Sequence, residues 1–160
     1  GKNCIPTLKE YLEFTENIEI LTFLELKNSM IPYPHLEEKV MEVIYRYEQQ
    51  KKIILFSANH PSVIRFGELA PDVSLLFPFD NWIYDYGAYC QKHGISACMP
   101  YFHALTPEVI TEIKAHGVAI YPWIIDEPSD MHALLSLGVD GILTNFPDRL
   151  KVILRGWENR

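Results

Sequence analysis

Cysteine is scarce in this chain: Cys4, Cys90 and Cys98 are its only three. Their number is odd and no two share a CxxC spacing, which excludes a disulfide framework and a cysteine-based zinc site. Positive charge is short as well, with 14 Lys and Arg against 21 Asp and Glu and a net charge of −7. The basic residues are scattered, with no run longer than Lys51-Lys52. Binding nucleic acid or a membrane surface through bulk charge is therefore excluded. No apolar stretch approaches the roughly 18 residues of a spanning helix, and the N-terminus does not read as a signal peptide. A reduced, cytoplasmic setting is the expectation, with an upstream address or anchor left open. Also missing are a Gly-rich phosphate loop, a GxSxG elbow, an HExxH helix and a Cys/His pair with suggestive spacing. P-loop, α/β-hydrolase and zincin chemistry are left without support.

What the chain has is apolar content, 48% of 160 residues, enough for a single domain over 1–160 with a real core. Its organising stretch is Ile18 to Lys27. Ile18, Ile20, Leu24 and Leu26 alternate there with Leu21 and Phe23, which predicts a strand buried on both faces. Before it, Pro6 to Phe14 reads as a helix with Pro6 in its first turn and Leu8, Tyr11 and Leu12 on one face. After it, a helix is predicted from about His35 to Gln50, with Leu36, Val40, Val43, Ile44 and Tyr47 on its buried side. Further strands are expected at 51–59, 73–77, 95–99, 118–125 and 139–144. Helices are expected at 61–69, 85–93, 106–116, 127–137 and from 147 to about 156. Gly94, Gly117 and Gly138 stand where left-handed caps end helices, and Thr106-Pro107 marks a helix start. Pro122 inside the 118–125 strand predicts a bulge or strand end. Strand starts recur roughly every 20 residues, each followed by a helix, which calls for right-handed crossovers and a parallel sheet. About six such units fall two short of an eight-strand barrel, which takes about 250 residues. The expected fold is α/β, an incomplete TIM (β/α)8-type barrel.

Ligands in such folds bind at the C-terminal ends of strands. The candidates there are Glu25, Lys27, Ser57, Asn59, His60, Met99, Tyr101, His103, Trp123, Asp126, Thr144 and Asn145. Glu25 and Lys27 share one face of the first strand. A carboxylate suits Mg²⁺ or Ca²⁺, and an ammonium suits a phosphate or sulfate. The alternative is that the two merely satisfy each other in a barrel interior. His35, His93, His116 and His132 fall at helix ends and read as structural or surface residues. His60 and His103 lie in loops on the functional side and also read as structural. Trp123 at a strand end is either core or a substrate-stacking platform.

On these residues the chain resembles the glycerophosphodiester phosphodiesterase family. Ile5-Pro-Thr-Leu-Lys-Glu10 is similar to its IPTLEE segment, and Ile20 to Lys27 to its metal-bearing ELK strand. Ile54 to His60 resembles its SSF-type strand, and Gly138 to Asp148 its GVDGIITDxP closing strand. The resemblance implies a TIM-barrel hydrolase that cleaves glycerophosphodiesters to glycerol 3-phosphate and an alcohol with a divalent metal, Mg or Ca. It implies Glu25 as a metal ligand, Lys27 as a phosphate contact and Trp123 as a wall of the substrate pocket. It also marks departures. The family's HRG segment, its ExD strand and its second catalytic His precede IPTLEE, and this chain starts at Gly1 just before that point. The match therefore covers about the C-terminal three-quarters of a barrel, without its first two strands. Met99 stands where the family has a His, Asp126 ends the counterpart of WTVN, and Asn145 replaces the acid of ITD. No catalytic residue is expected within the chain, which is predicted to bind metal weakly and to be inactive alone. A second expectation belongs to another class: a non-catalytic barrel fragment serving as a binding or self-assembly module, its open strand edges favouring a homo-oligomer.

Overall fold

The structure is a computed structural model that describes residues 4–158. Five strands and seven α-helices alternate along it. The chain divides into two compact units, Gly1–Leu76 and Phe77–Arg160.

In the first unit, α1 (Leu8–Thr15) starts at a capping box. Glu10 N–H donates to Thr7 Oγ1 at 3.2 Å, and Thr7 N–H donates to Glu10 Oε2 at 2.8 Å. Thr7 rather than Pro6 therefore sets the helix start, and Pro6 stays outside the first turn. β1 (Thr22–Glu25) is shorter than its apolar run predicts. Ile18, Ile20 and Leu21 are exposed, at 38%, 42% and 50%. Burial on both faces fails for a physical reason: among the described residues β1 is paired with β2 alone, so nothing holds the earlier residues in a ladder. α2 (Leu36–Arg46) follows, four residues short of the expected end at Gln50, because Glu48 takes a left-handed conformation (φ 53°) and a short 3₁₀ turn occupies Gln50–Lys52. β2 (Ile53–Phe56) is buried at all four positions, the two-faced burial a parallel strand requires. α3 (His60–Leu69) returns the chain to β3 (Ser74–Phe79), whose first residues pair in parallel with β2, Ile54 opposite Ser74 and Phe56 opposite Leu76. The core of this unit joins Leu12, Leu26, Ile44, Ile53, Leu55 and Phe66. Each such side chain contributes about 1.5–3 kcal/mol on burial.

The second unit repeats the alternation with α4 (Tyr86–Lys92), β4 (Ala97–Pro100), α5 (Pro107–Ala115), β5 (Ala119–Ile120), α6 (Pro128–Ser136) and α7 (Pro147–Glu158). Gly94, Gly117 and Gly138 end their helices at φ values of 70°, 68° and 81°, as the sequence predicts. β4 and β5 pair in parallel, Ala97 opposite Ala119 and Cys98 opposite Ile120. β5 stops two residues before Pro122, which has no N–H for a ladder.

A sixth strand was expected at Val139–Thr144 and does not form. The segment still runs beside its predecessor: Asp140 N–H donates to Ile120 O at 2.9 Å, and Leu143 N–H to Pro122 O at 3.0 Å. Two interruptions break the ladder. Ile120 N–H donates to the Asp140 side chain, at 2.8 Å, instead of to a carbonyl. Leu143 also accepts from Ile125 N–H at 2.9 Å, so its two partners stand one residue further apart than regular parallel pairing allows.

Candidate functional site

Glu25 ends β1, and Lys27 lies two residues beyond it. Lys27 Nζ stands 2.7 Å from Glu25 Oε1, with side-chain exposures of 81% for Lys27 and 33% for Glu25. The two are thus a pair, but an open one and not the pair in a barrel interior that the alternative expectation described. Their shared face is open to solvent, where a ligand can displace one charge from the other. An exposed pair of this kind holds together by no more than about 1 kcal/mol. Among the described residues no three His, Cys, Asp or Glu side chains stand close enough to hold a metal ion. Glu25 alone, already matched to an ammonium, does not fit a divalent cation, which takes six or more oxygen ligands.

The opposite side of the same stretch is closed. Leu26 and Asn28 are each only 5% exposed. Asn28 Nδ2 donates to Ser62 Oγ at 2.8 Å, and Ser57 Oγ donates to Asn28 Oδ1 at 2.7 Å. Ser62 Oγ donates in turn to Glu37, and Asn59 N–H to Ser57 Oγ at 3.0 Å. This network joins the ends of β1 and β2 to the first turns of α2 and α3. Ser57 and Asn59 are brought together as the polar end of β2, while Asn28, Ser62 and Glu37 are members the sequence reading missed. The signal was available only in part: polar residues at strand ends were legible, their partners on two helices were not. A cleft of about 380 Å³ opens beside the network, lined by Asn28, Tyr33, His35, Glu37, Asn59 and Arg65. Neither Glu25 nor Lys27 lines it. Glu38 next door is held below the usual carboxylate range by its own backbone N–H and by Arg65, with which it pairs.

In the second unit, Tyr101 and Trp123 form a parallel bridge just past β4 and β5, with ring centroids 5.7 Å apart. His103 joins them, 5.1 Å from Tyr101, and stacks on Phe102 at 3.9 Å. Trp123 is half-buried, and its buried Nε1 has no hydrogen-bond partner among the described residues. A buried donor left so costs about 1–3 kcal/mol, and an acceptor at that atom would relieve it. Met99, in the position of the family's His, is buried in β4 and has no acid–base chemistry to offer.

Asp126 accepts from Thr144 Oγ1 at 3.0 Å, from Asn145 N–H at 2.9 Å and, through its second oxygen, from Asn145 Nδ2 at 2.9 Å. The side-chain and backbone donors of Asn145 together hold its carboxyl below the usual aspartate value. Relative to the family motifs, acid and amide have changed places between these two positions, and here they bond each other.

The remaining histidines are at helix ends or on helices. His35 caps α2, His93 ends α4, and His116 ends α5 with Nδ1 2.9 Å from Glu112 O. His132 lies in α6 with Nδ1 3.4 Å from Trp157 Nε1, and His60 opens α3. The buried Cys98 thiol is pushed up by its contact with Cys90 and by burial, so it stays protonated and is no nucleophile.

A model of the glycerophosphoryl diester phosphodiesterase family matches residues 1–149. A glycerophosphodiester phosphodiesterase of Caldanaerobacter subterraneus is 28% identical over 151 residues, 94% of this chain and 62% of that protein. The chain thus spans less than two-thirds of that relative's length. A glycerophosphodiester phosphodiesterase structure from Parabacteroides distasonis superposes with a TM-score of 0.83 at 22% identity, over 96% of this chain and 65% of that one. An Oleispira antarctica phosphodiesterase in complex with the product sn-glycerol-3-phosphate superposes with a TM-score of 0.79 at 18% identity, over 94% and 62%. The structural likenesses carry the fold, an α/β arrangement of the incomplete (β/α)8-barrel type.

Proposed function

Because this chain belongs to the glycerophosphoryl diester phosphodiesterase family, we propose that the whole protein hydrolyses glycerophosphodiesters to glycerol 3-phosphate and an alcohol. Water adds to phosphorus, the bond from phosphorus to the alcohol oxygen breaks, and the alcohol leaves with a proton. The observation that carries this reading is the solvent-open Glu25–Lys27 pair at the end of β1. Lys27 is the phosphate contact: its mobile ammonium can leave Glu25 for the singly charged diester and, after hydrolysis, for the doubly charged glycerol 3-phosphate. Glu25, where the family resemblance puts a metal ligand, would supply one carboxylate toward a Mg²⁺ or Ca²⁺ ion and does not hold one alone. By the family resemblance, Trp123 is a wall of the substrate pocket. The setting is cytoplasmic, and no helix among the described residues is long and apolar enough to cross a membrane.

The test is a ³¹P NMR titration of the 160-residue chain with sn-glycerol 3-phosphate. Lys27→Ala is expected to weaken binding about tenfold, the loss of one charge-assisted contact. Equal binding by both proteins removes Lys27 from the site. With Mg²⁺ or Ca²⁺ and glycerophosphocholine, the chain alone is expected to release no choline, since it supplies a single carboxylate.

A second reading, a self-assembling module, is favoured by the exposed Ile18, Ile20 and Leu21 beside the β1 edge. Light scattering separates the two: a concentration-independent monomer rules out assembly through that edge.

A further inference from the structure

Residues 80–85, between β3 and α4, are exposed one after another: Asp80, Asn81, Trp82, Ile83, Tyr84 and Asp85. Trp82 is 66% exposed and Tyr84 91%. Large aromatic side chains held in water usually belong to a loop that collapses or a surface that binds. This loop is fixed at its base. Tyr86, only 2% exposed, accepts from Ile83 N–H at 3.2 Å and donates from its hydroxyl to Asn81 O at 3.1 Å. Its ring is locked edge-on against Phe79 at 5.0 Å. The hydroxyl therefore bridges both sides of Trp82 and presents that residue outward.

The charges of the loop are likewise left available. Asp85 precedes α4 but makes no cap bond. The capping is done from another helix, where the Glu112 carboxylate accepts from Gly87 N–H at 2.9 Å and Ala88 N–H at 3.0 Å. The loop thus shows two carboxylates, two aromatic faces and one aliphatic tip, with no Lys, Arg or His. Acids beside electron-rich rings attract a quaternary ammonium and repel an anionic surface. Trp and Tyr also favour the boundary between headgroups and water.

We infer that the 80–85 loop docks this chain on a zwitterionic lipid surface whose outermost groups are choline ammoniums, with Trp82 and Tyr84 at headgroup depth and Asp80 and Asp85 facing the cations. The inference goes beyond the hydrolase reading and does not depend on turnover.

Sedimentation of the 160-residue chain with sucrose-loaded phosphatidylcholine vesicles tests it, alongside phosphatidylglycerol vesicles at the same salt. Binding to phosphatidylcholine is expected, with affinity about tenfold weaker in the Trp82→Ala/Tyr84→Ala variant. Little binding to phosphatidylglycerol is expected, and Asp80→Asn/Asp85→Asn narrows the difference between the two lipids. Acyl-brominated phosphatidylcholine is expected to quench the wild-type fluorescence, and Trp82→Phe to lose that quenching while Trp123 and Trp157 remain. The Trp82→Phe experiment holds even where the double alanine variant fails to fold. Equal or stronger binding to phosphatidylglycerol overturns the inference, as does no vesicle binding or quenching retained in Trp82→Phe. A fall in oligomer mass on Trp82→Ala/Tyr84→Ala, without loss of lipid binding, assigns the loop to a second copy of the chain instead.

Discussion

Lys27 and Asn28 are neighbours in sequence and opposites in environment. The Lys27 side chain is 81% exposed and paired with Glu25, whereas Asn28 is 5% exposed and bonded to Ser57 and Ser62. Burial alternates along this stretch, with Glu25 and Lys27 exposed and Leu26 and Asn28 covered. Polarity at a strand end therefore has two meanings. On the covered side it stitches strands to helices, and there each lost partner strands another group out of water. On the open side it contributes little to stability and is free to meet a ligand.

Breaking the covered side should have the largest effects. Leu55, fully buried in β2, belongs to the core of the first unit, and Leu55→Ala is expected to destabilise by about 3 kcal/mol through lost burial and the cavity left behind. Asn28→Ala follows at about 2 kcal/mol, because Ser57 and Ser62 lose a buried partner. Urea denaturation reads both as a lower midpoint at constant slope. If Asn28→Ala is as mild as a surface change, the network is solvated and the contrast with Lys27 fails. Lys27→Ala itself should shift stability by no more than about 0.5 kcal/mol while weakening glycerol 3-phosphate binding. A large stability loss there would make the pair structural.

The same two meanings explain what was legible beforehand. Helix ends were readable because their causes are local: Gly138 must accept φ 81°, and Thr106 caps the helix that Pro107 opens. The Glu25 and Lys27 pairing needs only two positions on one strand. Long-range causes were not readable. The apolar run Ile18–Leu21 looks the same with or without a neighbouring strand, so its exposure could not be foreseen. The loss of the sixth strand depends on the Asp140 carboxylate taking the Ile120 amide and on the widened spacing of Leu143's two partners, events between segments. The Glu112 cap on α4 and the Glu37–Ser62 bond are contacts of the same kind.

Asp126 offers a third case and the smallest expected effect, a carboxylate on the open side that is nonetheless fully bonded. Its folded-state pKa lies below the ordinary aspartate value, chiefly through the side-chain and backbone N–H groups of Asn145. The unfolded chain therefore binds the proton more readily. The stabilisation is fully present above the ordinary carboxylate range and is lost as pH falls through the folded-state value. Asp126→Asn should flatten that acid limb, and it should also weaken the fold at neutral pH, because the charge-assisted bonds from Asn145 and Thr144 become neutral ones. Adding Asn145→Asp restores one carboxylate and one amide in reversed order, the order of the family motifs. Recovery of the neutral-pH melting temperature in the double variant would show that the exchange of acid and amide is a matched pair. If the two losses simply add, the carboxylate owes its low pKa to the backbone N–H and Thr144, and position 145 is no partner to it.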